Sequence, residues 1–220
     1  MFQLKVINQH DPLQRAAEKQ QEQEEFSPME PPDAYAPPNL DAVPYEDLHP
    51  FLQGLMDEHK AISEQLDAFE NALLSIQSEG MSREAHGRLR DFFAFFDQHI
   101  VKHHQREDQF LFPPLHRRLL ASVEHGRGGE ATTSVDVMED AHVKALQLAA
   151  VVFNFFGMAV RLPDPASQLI VLDAALEQGK TLVELMRLHI FREDNIVFAQ
   201  AHRLLTQAEL KEMEINKWFG

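Results

Sequence analysis

Residues 103–119, HHQREDQFLFPPLHRRL, and residues 189–205, HIFREDNIVFAQAHRLL, decide how the chain is read, because they are one segment written twice. Eight of 17 positions are identical: His103/His189, Arg106/Arg192, Glu107/Glu193, Asp108/Asp194, Phe112/Phe198, His116/His202, Arg117/Arg203 and Leu119/Leu205. Unrelated segments would share about one. Each copy also has a lone histidine upstream, with His59 lying 44 residues before His103 and His142 lying 47 before His189. The repeating unit is a helix with one histidine, a turn, and a helix with HxxxE.

Working outward, Phe51/Leu52, Leu55, His59, Ile62, Leu66, Phe69, Leu73 and Ile76 recur at alternating steps of three and four. That is the buried stripe of a bundled helix. Gly80 stops it, and Ser82 suits the N-cap of the next helix. The second stripe reads Leu89, Phe92/Phe93, Phe96, His99, His103, Glu107 and Phe110, and the pair Pro113–Pro114 predicts a break or kink there. Gly126-Arg127-Gly128-Gly129 reads as a flexible crossover. The third stripe is Val135, Met138, His142, Ala145, Ala149, Val152 and Phe156. Pro163-Asp164-Pro165 closes it, with Asp164 as N-cap and Pro165 at the first helical position. The fourth is Leu172, Leu176, Leu182, Met186, His189, Glu193 and Ile196, after which Thr206 with Glu209 predicts a capping box and a short C-terminal helix. No window alternates like a strand. The expected fold class is all-α, an antiparallel up-down four-helix bundle with a C-terminal helix over residues 45–220. Residues 1–44 read as a separate, extended or partly disordered, Pro-rich acidic arm, since residues 1–50 hold ten acidic residues against three basic ones and Pro28, Pro31, Pro32, Pro37, Pro38 and Pro44 block regular structure.

Composition narrows the function. The chain has 220 residues, 44% apolar and 25% charged, which suits one globular domain plus an arm. A formal charge of −15 opposes a phosphate-backbone partner, so no nucleic acid is expected. With no Cys there are no disulfides, thiolate-bound zinc or iron–sulfur clusters, and no thiol nucleophile. Any metal must bind through His and carboxylates. The first residues lack a long apolar run, and the most apolar stretch, Leu148 to Val160, is short and broken by Asn154. The expectation is a cytoplasmic protein that does not associate with membranes.

Polar groups inside apolar stripes need partners. The stripes contain His59, His103 with Glu107, His142, and His189 with Glu193. One HxxxE alone would be an ordinary helical ion pair, but the duplication repeats the whole arrangement. His59 and His103 each lie about 20 residues from their shared turn, hence on the order of 30 Å along their helices, so they meet at one height. Side chains at i and i+4 project together, so the imidazole and carboxylate of each HxxxE can serve one site. Four imidazoles and two carboxylates without thiolate suit iron, manganese or zinc, and two half-sites suit two ions; two irons are favoured. If both ions are six-coordinate, both glutamates bridge and an oxo or hydroxo group is shared, two positions remain open for a small ligand.

These residues resemble the hemerythrin-like HHE cation-binding family over about residues 48–206. The likeness rests on Asp57-Glu58-His59-Lys60, the run from His103 to Pro113, Glu139-Asp140-Ala141-His142, and His189-Ile190-Phe191-Arg192-Glu193. The resemblance implies a four-helix bundle with a non-haem di-iron centre, its metal ligands being His59, His103, Glu107, His142, His189 and Glu193, with both glutamates bridging. Oxygen-carrying members have a further His four residues after the third-helix histidine, where this chain has Leu146. The six-ligand pattern looks more like bacterial members linked to nitric-oxide stress and iron-centre repair, which commonly carry a Cys-containing N-terminal region; this chain is Cys-free. The expected function is binding or sensing of dioxygen, nitric oxide or iron. The alternatives are a di-iron enzyme, acting as oxidase, peroxidase or in nitric-oxide stress and iron-centre repair, and a structural metal site. The expected partner is dioxygen, nitric oxide or peroxide.

Other polar residues are read more plainly. His99 is a supporting or pocket-gating residue, a satisfied core histidine, or a seventh metal ligand. His104, with Asp108 four residues on and Ile190 as its counterpart, reads as half of a surface ion pair. Glu58 and Glu139 read as solvated helix-face residues, with Glu139 also able to reach His142. Asp108 and Asp194 either support the ligands or pair on the surface, His116 and His202 read as surface positions, and the phenylalanines at 92–96 and 153–156 read as core.

Overall fold

The computed structural model describes residues 43–122 and 132–216, which are all-helical, with no strand among them. The crossover at 126–129 and all but the last two residues of the arm lie outside the described residues. After a short 3-10 turn at Tyr45–Asp47, α1 spans Pro50–Glu79. His49 caps it by accepting the Phe51 N–H, and Gly80 ends it at φ +85°, a conformation that side-chain-bearing residues resist. Ser82 caps α2, Arg83–Phe95, by accepting the Ala85 N–H. A π turn at Phe96–Ile100 leads into α3, Val101–Arg106, and a second π turn at Glu107–Leu111 leads into α4, Phe112–Ala121.

Pro113 and Pro114 therefore do not end the helix. They fall in the first turn after the wide π segment, where the Phe112 N–H donates five residues back to the Glu107 carbonyl, and helix continues to Ala121. α5 spans Ser134–Ala159 behind a capping box of Thr133 and Asp136, and α6 spans Pro165–Arg192 behind Asp164 and Pro165, as the sequence predicts. A third π turn, Glu193–Val197, precedes α7, Phe198–Leu204. Thr206 and Glu209 then form the predicted capping box of α8, Gln207–Asn216.

α1 packs on α2 and α6, α5 on α6, α4 on α5 and α7, and α8 on α1. The approach of α1 and α6 is tight at Gly179, where a Cβ would lie 2.9 Å from a Leu73 methyl. α5 is long and apolar enough to cross a membrane by length and hydropathy alone, yet its Val135, Met138, Ala145, Ala149, Val152 and Phe156 are buried in the core. Phe153 departs from the expected core, being 59% exposed, with its ring edge-on to Phe93 at 5.3 Å.

The apolar interior has two parts. One gathers residues such as Ile62, Phe69, Phe92, Ile100, Ala145, Val152 and Met186, and the other gathers Leu52, Leu55, Leu111, Phe112, Met138, Val197 and Phe198. Each long rod passes from one part to the other, and between them every rod carries its histidine. Leu55 and Ile62 flank His59, Ile100 and Leu111 flank His103 and Glu107, Met138 and Ala145 flank His142, and Met186 and Val197 flank His189 and Glu193. A buried polar layer separates two hydrophobic cores.

Candidate metal centre

All six residues singled out by the repeat meet in this layer. Glu107 and Glu193 are 0% exposed, and the four histidines 2 to 6%. The imidazoles form two pairs: His59 Nε2 is 3.0 Å from His103 Nε2, and His142 Nε2 is 3.2 Å from His189 Nε2. Both carboxylates reach both pairs. Glu193 Oε2 lies 3.2 Å from His59 Nε2 while its Oε1 lies 3.2 Å from His189 Nε2. Glu107 Oε2 lies 3.4 Å from His103 Nε2 and 3.5 Å from His142 Nε2. Two groups of donors result, His59, His103, Glu107 and Glu193, and Glu107, His142, His189 and Glu193, each with donor atoms within 4.8 Å of one another. Each group could hold one metal ion, and the two share both glutamates.

The π turns explain how the glutamates get there. Each HxxxE begins in regular α-helix, and the glutamate is the first residue of a wide turn in both copies. The extra residue rotates everything after it, so the buried positions are Leu111 and Val197, where the stripes predict Phe110 and Ile196. The π turn at Phe96–Ile100 does the same upstream. Ile100 is buried and His99 turns outward, exposed and stacked on Phe95 at 4.6 Å, so His99 is no core histidine.

Three of the four imidazoles are aimed by carboxylates behind them. His59 Nδ1–H donates to Asp194 at 2.7 Å, His142 Nδ1–H to Asp108 at 2.8 Å, and His103 Nδ1–H to Glu58 at 2.8 Å. A carboxylate can only accept, so Nδ1 carries a proton and Nε2 is the nitrogen that faces a cation. Arg106 clamps Glu58 with both terminal nitrogens, Nη1 at 2.8 Å from Oε1. His189 Nδ1 has no hydrogen-bond partner among the described residues. Asp108 and Asp194 thus support the centre, and Glu58 is part of it rather than a solvated face. Glu139 is exposed, and the His142 Nδ1 is taken by Asp108.

His104 is a second correction. It is 6% exposed, lies against the second histidine pair with its ring stacked on His142 at 3.8 Å, and makes no ion pair with Asp108. The signal was its counterpart, since Ile190 is an apolar residue at an inward position, 9% exposed. Glu58 was marked by adjacency to His59, and Arg106 by its identity with Arg192. His116 lies outside the layer, 2.9 Å from the Thr133 hydroxyl at the start of α5.

The electrostatics of the cation-free cluster are strained. Burial, reinforced by Glu193, pushes the Glu107 carboxyl well up. Burial also opposes ionisation of Glu193, but the charges of His189 and His59 outweigh it and hold that carboxyl well below the usual range. His59 is driven down by burial yet raised overall to about 9 by Asp194 and Glu193. Burial lowers His103, and burial with neighbouring His142 and His189 lowers His104 strongly. None of the four oxygens of Glu107 and Glu193 makes a hydrogen bond among the described residues. Buried carboxylates left in this state are costly, whereas the donor set of imidazole nitrogens and carboxylate oxygens suits divalent first-row cations. The residues therefore fit a pair of metal ions.

The comparison with known families agrees. Residues 51–201 match the hemerythrin HHE cation binding domain, and the chain belongs to that family. No curated protein matches it closely.

Proposed function

We propose that this member of the hemerythrin HHE family is a non-haem di-iron protein that binds dioxygen or nitric oxide, its ligands being His59, His103, Glu107, His142, His189 and Glu193. The observation that carries the reading is the pair of buried, unbonded carboxylates that each face both histidine pairs. A carboxylate that spans two imidazole pairs suits two ions better than one. Two irons would supply open coordination positions for a diatomic ligand and the electrons to hold it. The chain's own residues do the rest. Asp194, Asp108 and Glu58 orient three imidazoles, Glu107 and Glu193 join the halves, and the two apolar cores above and below keep bulk water from the layer.

In this reading the long rods form an antiparallel up-down four-helix bundle. The short links Gly80–Ser82 and Val160–Asp164 between packed neighbours favour it. The bundle with its C-terminal helix is residues 45–220, residues 1–44 are a separate arm, and the protein works in the cytoplasm without nucleic acid or membrane.

The test is to purify the full chain without oxygen from iron-supplemented cells, count iron, and record its absorption spectrum before and after air and nitric oxide. Two irons per chain and a reversible spectral change support binding. Consumption of nitric oxide or peroxide over many cycles would replace the binder by a di-iron enzyme. Zinc, or two irons indifferent to both gases, would leave a structural centre.

A further inference from the structure

The outward side of α5 and its closing turn carries a second apolar stripe beside the one that enters the core. Val143, Leu146, Ala150, Phe153, Gly157 and Val160 fall at alternating steps of three and four, the a and d positions of successive heptads. Val143, Leu146, Phe153 and Val160 are each more than half exposed, Ala150 is exposed and Gly157 half-buried. No charged residue interrupts the chain between Lys144 and Arg161. On the α2 side, Phe93 lies edge-on to Phe153, and two clefts of about 360 and 190 Å³ flank that ring. An exposed apolar strip of this length on a chain of charge −15 marks an interaction surface.

The flank of the strip says what covers it. The e positions of the same heptads are Asp140, Gln147, Asn154 and Arg161, all exposed, so the flank has an acid at one end, a base at the other and two amides between. Laid antiparallel on a second α5, this flank is complementary to itself. Asp140 meets Arg161 of the second copy and Gln147 meets its Asn154, each twice by symmetry. In the same register large residues of the seam meet small ones: Leu146 lies over Gly157 of the second copy, Phe153 over Ala150, and Val143 against Val160. Parallel pairing would instead set acid level with acid and base level with base.

We propose that two copies of this chain associate through α5, antiparallel, about a two-fold axis passing between Ala150 and Phe153. The strip faces away from the buried histidine layer, so the pairing does not depend on what that layer holds.

The test is analytical ultracentrifugation of the full chain from micromolar to hundreds of micromolar concentration, with helical content and bound metal as controls of folding. The wild-type chain should show a monomer–dimer equilibrium. Phe153→Asp, which alters an exposed side chain, should raise the dissociation constant by about 100-fold or more. Asp140→Arg and Arg161→Asp should each raise it by about tenfold, and the two together in one chain should restore it. Residues 140 and 161 are about 30 Å apart along one helix, so restoration requires a contact between copies. A chain that stays monomeric throughout, or a dimer indifferent to Phe153→Asp, would overturn the proposal. Charge reversals that fail to rescue one another would overturn it too, as would a monomer that binds phosphatidylcholine vesicles through Phe153.

Discussion

The two halves of the buried layer are built by the same repeat and finished differently. In each, the lone histidine is aimed by an aspartate from the opposite copy, His59 by Asp194 and His142 by Asp108, at 2.7 and 2.8 Å. The histidine of HxxxE differs. His103 is held from behind by Glu58 and its Arg106 clamp, while His189 has Ala141 at the position matching Glu58 and no partner for Nδ1 among the described residues. In the first half both imidazoles are held from behind by carboxylates, and the second has an additional imidazole, His104. Duplication explains what the halves share, and two unmatched positions, Glu58 against Ala141 and His104 against Ile190, account for these differences.

The largest effect should come from cutting what joins the halves. Glu107→Ala and Glu193→Ala should each abolish the two-iron stoichiometry, read as iron per chain after anaerobic loading. Both variants keeping two irons would mean that the carboxylates do not bridge. A smaller effect separates the halves. Glu58→Ala makes His103 resemble His189, and should weaken iron binding by about 10- to 100-fold. Asp108→Ala and Asp194→Ala should cost similar amounts to each other, because they occupy matching places. A tenfold disparity between those two in a competition titration would show that the likeness of the halves is superficial.

The smallest effect is one of pH. Without metal, His59 is raised to about 9, so below that pH its imidazole carries a proton that an arriving cation must displace from Nε2. Affinity at the first half should therefore rise with pH and level off above about 9. Ferrous-ion titrations in buffers of different ionisation heat check the accompanying proton release, which should fade in His59→Gln.

Most of this arrangement was legible in the sequence because a duplicated segment is hard to misread. The caps at Ser82, Asp164 and Thr206, the stop at Gly80 and the six inward polar residues all follow from local rules, and the structure agrees with each. What was hidden lay downstream of the π turns. A stripe drawn at constant period predicts Phe110, Ile196 and His99 as inward, whereas one extra residue in each wide turn brings in Leu111, Val197 and Ile100. Pro113 and Pro114 misled for the same reason. At His104 the nearby acid Asp108 points to a surface pair, whereas its apolar counterpart Ile190 marks the position as one that can be buried.

The layer between the two apolar cores has a consequence for how the molecule comes apart. Each rod is continuous through it, but apolar side-chain packing is interrupted there by seven buried ionisable groups, His59, His103, His104, Glu107, His142, His189 and Glu193, each under 7% exposed. Without a cation, the two cores should loosen as separate cooperative blocks, each with its own amide-exchange protection, because the layer that joins them holds buried carboxylates without hydrogen bonds among the described residues. Loading the layer should fuse them into one unit that exchanges only by opening as a whole. The cofactor site would then also set the size of the unfolding unit.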